Sequence, residues 1–209
     1  MPPAATGGSI RALDWREFDT PSARRAWDAM ARAAAEPNPF HECWYLLPAL
    51  RALDPDGTVK LLRFNLDGQL AGILPVRRQP RYYRWPLPNL GGWVHANCFL
   101  GVPLVAAGAK EPFWHALLDW ADDNAGHALF LHLAAMPLNG PMHAALDRVL
   151  AQHGRTAGVV WREDRAALTS HGTQPDAYLE SALSGKKRKE LRRQMARLGE
   201  MGEARFERQ

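Results

Sequence analysis

The stretch TVKLLRFNLDGQLAGILPV, residues 58–76, decides the fold. Two strand-like runs, TVKLLRFN and QLAGILPV, flank Leu66-Asp67-Gly68, and Asp-Gly is the strongest short hairpin signal because the turn needs positive φ. An antiparallel hairpin therefore lies near the middle of whatever sheet the chain builds.

Upstream, Ile10 to Phe18 reads as a short strand and loop behind a loose tail, residues 1–9. Thr20-Pro21 starts a helix, because proline lacks the N–H that would go unpaired in the first turn. Trp27, Met30, Ala31 and Ala34 give that helix one apolar face, and Pro37 and Pro39 end it. A second helix fits Glu42 to Leu53, with Pro48 inside it as a kink or a later start. Downstream, RRQPRYYRWPLPNLGGW (77–93) predicts a long irregular surface loop, and Leu100 to Ala106 a short strand. A helix over Glu111–Asn124, a strand over Ala128–Ala134, a helix over Pro141–His153 and a strand over Thr156–Arg162 then give a βαβ pattern. The predicted class is α/β: a mixed, mainly antiparallel sheet flanked by helices. A single long helix, about Pro175 to Gly199 with Gly185 near its middle, and a strand opening at Glu203 to Gln209 complete the pattern.

At 209 residues, 46% hydrophobic and 23% charged, the composition is that of a globular chain. A domain of about 150 residues leaves a remainder too short for a second core. The net charge of +4 is concentrated between Lys186 and Arg197, where seven cations face Glu190 alone. That segment carries +6, so the other residues sum to −2. The body of the protein is not basic. Two cysteines, Cys43 and Cys98, without a CxxC pair fit a reducing compartment, and neither a signal peptide nor an apolar run of about 20 residues is present. The sequence thus reads as cytoplasmic, with no transmembrane segment.

Four passages, PFHECWYLLPALRAL (39–53), GQLAGILPVRR (68–78), NLGGWVHANCFLGVPLV (89–105) and LSGKKRKELRRQMARLGEMGEARFE (183–207), carry a family likeness. They resemble the two-domain branch of the GNAT acyltransferase superfamily associated with cellulose biosynthesis, distantly similar to the Fem-type aminoacyl transferases. The resemblance implies a GNAT-like domain over 10–172, then a linker helix and the first strand of a second GNAT-like half over 173–209. It implies transfer of an acyl group from acyl-CoA, such as acetyl-CoA, to an amine or hydroxyl, with the donor site mainly in the second half. This half would then be structural or acceptor-binding, and inactive alone.

A GNAT domain that binds coenzyme A usually presents Arg or Gln, two residues, then Gly-x-Gly or Gly-x-Ala, so that helix N-terminal amides cradle the pyrophosphate. That spacing is absent. Gly199 and Gly202 follow Arg197 at the wrong spacing and behind a helix, and Gly91-Gly92 lacks a suitably spaced arginine. The candidate acceptor contacts are Lys186, Arg188, Lys189, Arg192 and Arg193, where Arg188/Arg192 and Lys189/Arg193 lie one helical turn apart and form a clamp for phosphate or carboxylate, as on an anionic glycan or peptide. The competing reading is a solvated charged face, or a non-catalytic module that binds an anionic partner. Nucleic acid is disfavoured because no aromatics interleave the cations.

His95 is the candidate general base, its ordinary pKa suiting proton removal near neutrality, with Trp93 and Asn97 as substrate contacts or packing. A zinc site from His41, Cys43, His95 and Cys98 matches no common structural-zinc spacing, so no metal is expected. Arg77, Arg78, Arg81 and Arg84 with Tyr82 and Tyr83 have the chemistry to read a sugar or an anionic lipid head. An unpaired strand at 203–209 and an exposed helix would permit a homodimer.

Overall fold

The predicted turn forms with both central residues in the left-handed region, Asp67 at φ 51° and Gly68 at φ 77°. It joins strand β2 (Lys60–Leu66) to β3 (Gln69–Gln79), antiparallel, with a bulge at Phe64/Asn65. In this computed structural model, which describes residues 8–165, 172 and 174–203, the chain divides into two units, 1–158 and 159–209.

The first unit is built around β3, whose residues Ala71 to Val76 are all buried. On one edge lies β2, and beyond it β1 (Gly8–Asp14), antiparallel. The other edge is shared: Gly72 and Ile73 pair with β5 (Leu104–Val105), while Val76 to Gln79 pair with β4 (Asn89–Gly92). Strand β6 (Leu131–His132) lies parallel to β4, reached through helix α3 (Lys110–Asn124). The result is a mixed, mostly antiparallel sheet.

Period-two alternation then sends side chains to opposite faces. Leu62, Phe64, Leu74 and Val76 meet Phe113, Trp114 and Leu117 of α3 and Met142, Ala145 and Val149 of α4 (Pro141–Gln152). Leu61 and Ile73 meet Trp27 and Met30 of α1 (Pro21–Arg32) and Leu46, Leu47 and Leu50 of α2 (Cys43–Leu53). Indole donors tie each layer: Trp27 Nε1 donates to the His41 carbonyl and Trp114 Nε1 to that of Met142, both at 2.9 Å. Thr20 caps α1 with Pro21 in its first turn, and α2 runs through Pro48.

Several expectations are corrected. Strand β1 starts at Gly8, inside the stretch read as tail. Helix α1 ends at Arg32, not at the prolines, because Ala34 leaves to bridge Ala106. The 77–93 loop is mostly hairpin: β3 runs to Gln79 and β4 returns from Asn89, a pairing hidden by the prolines between them. The strands expected over 100–106 and 128–134 shrink to two residues each. Residues 156–162 form no strand and are exposed, since strand propensity without a paired edge does not make a strand.

In the second unit, the single helix expected over 175–199 is two, α5 (Pro175–Ala182) and α6 (Gly185–Met201). The break falls at Leu183, which is extended, and Ser184, whose hydroxyl accepts from Lys187 N–H, so Gly185 opens a helix instead of interrupting one. The strand expected at Glu203–Gln209 falls, beyond Glu203, outside the described residues.

Gly101 is where the backbone of the β4–β5 connection meets residues 134–135: its N–H donates to Ala135 O at 2.9 Å, and a Cβ there would stand 2.0 Å from Ala134 O. Gly101→Ala should therefore lower unfolding free energy by about 2 kcal/mol or more in urea titration. Gly108→Ala, into open space, should stay within about 0.5 kcal/mol.

Candidate functional site

Beyond β4 the chain turns over the end of α2 and brings together the aromatic residues singled out from sequence. Trp93 is buried, its N–H donating to Pro75 O at 2.8 Å. His95 leans on Trp93 with ring centroids 5.2 Å apart and lies parallel to Tyr45 of α2 at 5.9 Å. The Tyr45 hydroxyl donates to Asn97 O at 2.6 Å, locking the loop to the helix. Phe40 extends the cluster, edge-on to both Tyr45 and Phe99. Sequence reasoning named Trp93, His95 and Asn97 but missed Tyr45 and Phe40. The aromatic density of PFHECWY was the available signal.

The Asn97 N–H reaches His95 Nδ1 at 3.3 Å, so Nδ1 accepts and the neutral ring carries its proton on Nε2. Nε2 is buried with no hydrogen-bond partner, and burial pulls the pKa below the ordinary histidine value. As it stands, the imidazole presents no free lone pair to an acceptor.

The residues weighed for zinc serve separate purposes. His41 is fully buried, and neither ring nitrogen makes a hydrogen bond of normal geometry. Cys43 Sγ donates to Asp28 Oδ1 at 2.9 Å, with burial first and this bond second pushing its pKa up to about 12. Cys98 Sγ donates to Leu100 O at 3.3 Å. Among the described residues no group of three or more His, Cys, Asp or Glu side chains could hold a metal ion. A cleft of about 290 Å³ opens beside Cys43, walled by Arg24, Asp28, Trp44 and Arg51. Its cations are engaged, Arg51 and Arg24 both pairing with Asp19 and holding that carboxyl below the usual carboxylate range.

First-turn amides of a helix lack intrahelical partners and attract anions, and the starts of α3 and α4 each carry a carboxylate. In the turn before α3, Ala106 N–H donates to Ala71 O, Ala107 N–H to Ala33 O and Ala109 N–H to Ala106 O, each at 2.9 Å, and Lys110 Nζ donates to Ala107 O. Glu111 adds a carboxylate in the first turn, paired with Arg148 at 2.6 Å. At α4, the Glu36 carboxylate fills the site, Oε2 accepting from Met142 N–H at 3.4 Å, and it lies so close to Gly140 that a Cβ there would meet Oε2 at 2.3 Å. Glu111 at α3 and Glu36 at α4 oppose a pyrophosphate at these two places.

On α6, every residue is at least partly exposed. Arg188 turns back to the α5 carbonyls, Nη1 donating to Glu180 O at 2.9 Å and Leu183 O at 3.3 Å. Arg193 pairs with Glu190 at 2.7 Å. Lys186, Lys189 and Arg192 form no ion pair among the described residues.

No family model and no curated protein matches the sequence. Solved structures do resemble it in chain course. A GNAT family acetyltransferase from Staphylococcus aureus matches with TM-score 0.43 and 10% identity over 76% of this chain and 98% of its own. A possible acetyltransferase from Clostridium difficile matches with TM-score 0.44 and 11% identity over 77% and 99%. An integron cassette protein from the mobile metagenome of Vibrio cholerae matches with TM-score 0.44 and 9% identity over 79% and 94%. The fold is α/β, a mixed, mostly antiparallel sheet flanked by helices, and no helix among the described residues is long and apolar enough to cross a membrane.

Buried His41 makes stability depend on pH. Burial lowers its pKa from 6.5 to about 4, with the Val102 backbone pulling weakly the other way. Between these values the unfolded chain takes up a proton that the folded chain refuses. The stabilisation is whole above pH 6.5 and falls by roughly 1.4 kcal/mol per pH unit toward pH 4. His95 and His132, also lowered by burial, act with the same sign. Urea melts at several pH values should show this slope, and His41→Leu should flatten it.

Proposed function

We propose that this chain is the acceptor-side half of a tandem GNAT-type acyltransferase, an enzyme that moves an acyl group from acyl-CoA to an amine or hydroxyl, and that it does not itself hold the acyl-CoA. The supporting observation is that Glu36 occupies the start of α4 and Glu111 stands in the first turn of α3, behind a turn at 106–109 whose amides are bonded. An anion brought to either place would meet a carboxylate and amides already bonded.

In this reading, Trp93, His95 and Asn97 form a packed loop on the first unit. His95 becomes a base only if its Nε2 is uncovered. The cations of α6 left without an ion pair, chiefly Lys186, Lys189 and Arg192, attract an anionic acceptor, whereas Arg188 ties α6 to α5 and Arg193 pairs with Glu190 within α6.

Isothermal titration of this chain with acetyl-CoA should give no binding tighter than about 1 mM, and micromolar affinity or turnover would refute the assignment. In a protein carrying both halves, Lys189→Ala with Arg192→Ala should raise the acceptor KM about tenfold at unchanged kcat. An unchanged KM removes α6 from acceptor binding. A second reading, a non-catalytic module for an anionic partner, is favoured by the seven cations on α6 against two carboxylates. It is distinguished by tight binding to a polyanion together with no acyl transfer from the two-half protein.

A further inference from the structure

The hairpin between β3 and β4 ends in a tip that the acyltransferase reading leaves unused. Tyr82 and Trp85 exchange backbone hydrogen bonds, N–H to O at 3.0 Å in both directions, enclosing a two-residue turn of Tyr83 and Arg84. Tyr83 sits at φ 51°, a left-handed conformation that a bulky side chain rarely adopts and that glycine would relax. Its side chain nonetheless faces solvent, 79% exposed, beside Trp85 at 57%. The entry to β6 runs alongside. Leu129 N–H donates to Pro88 O at 2.9 Å, Leu90 N–H to Phe130 O at 3.1 Å, and Tyr82 packs edge-on to Phe130 at 5.2 Å. Leu129, 67% exposed, and Leu87 thereby join the two aromatics in one apolar rim.

The hairpin that carries the tip bears charge of one sign. The sequence holds no Asp or Glu between Asp67 and Glu111, a stretch that includes Arg77, Arg78, Arg81 and Arg84. Arg78 is engaged with the Asn124 carbonyl at the end of α3. Arg77, Arg81 and Arg84 are exposed and form no ion pair among the described residues.

We propose that the Tyr83–Trp85 tip, with Leu87 and Leu129, is a contact surface for an anionic phospholipid bilayer. Tyr and Trp favour the boundary between head groups and acyl chains, and exposed leucines gain by entering it. Arginines beside them meet lipid phosphates, each adding about fivefold to the affinity at low salt. Single-stranded nucleic acid fits less well. The Arg84 guanidinium lies 5.4 Å above the Trp85 ring and covers a face on which a base would stack, and the leucines offer no stacking surface.

The test is co-sedimentation of the full chain with phosphatidylcholine vesicles and with vesicles containing roughly 30% phosphatidylserine. The protein should bind the anionic vesicles only, and rising salt should weaken that binding. Tyr83→Ser with Trp85→Ser and Leu129→Ser should weaken it at least tenfold, and Arg81→Glu with Arg84→Glu at least as much, each at an unchanged melting temperature because all five side chains are exposed. Quenching of tryptophan fluorescence by brominated lipid should largely disappear in Trp85→Phe. Failure to bind anionic vesicles overturns the proposal. So does binding that both tip variants leave intact, as when the α6 cations alone carry it, or a tip-dependent affinity for an oligouridine in place of vesicles. None of these readouts depends on acyl transfer.

Discussion

Strand β3 is buried on both faces from Ala71 to Val76 and hydrogen-bonded along both edges, and the first unit is arranged around that constraint. Each of its amides needs a partner, because an unpaired backbone donor in this interior costs on the order of 1–3 kcal/mol. One edge is satisfied by the Asp67-Gly68 hairpin. The other is too long for either neighbour alone, so β5 takes Gly72 and Ile73 while β4 takes Val76 to Gln79. Both helical layers are then fixed, α1 and α2 on the side of Leu61 and Ile73, α3 and α4 on the side of Leu62, Phe64, Leu74 and Val76.

The same constraint shapes the chemistry. Leaving β5, the chain is held by the carbonyls of Ala71 and Ala33, and it enters α3 with three amides already bonded. Glu36 occupies the start of α4. A diphosphate at the start of α3 or α4 would meet Glu111 or Glu36.

The sequence announced elements whose signal is local. Asp67-Gly68, Thr20-Pro21 and the apolar spacing of residues 111–124 and 141–152 each specify a short-range geometry, and each element is present. It misled where pairing is long-range. Proline-rich 80–88 concealed that Asn89 to Gly92 returns to β3, and the apolar run at 156–162 suggested a strand that has no edge to join. Site residues followed the same division. Trp93, His95 and Asn97 stood out as a cluster, but Tyr45 reaches them across 52 positions of sequence, and nothing local marks Glu36 as the cap of a helix beginning at Pro141. The missing Gly-x-Gly spacing was legible. The bonded amides of the turn before α3 were not.

Amide hydrogen exchange resolved by residue tests the bonded turn before α3 most directly. The account predicts slow exchange at Ala106, Ala107 and Ala109, and exchange rates and amide shifts there that do not change on adding acetyl-CoA. Fast exchange at these amides, or protection and shift changes that appear only with acetyl-CoA, would contradict it.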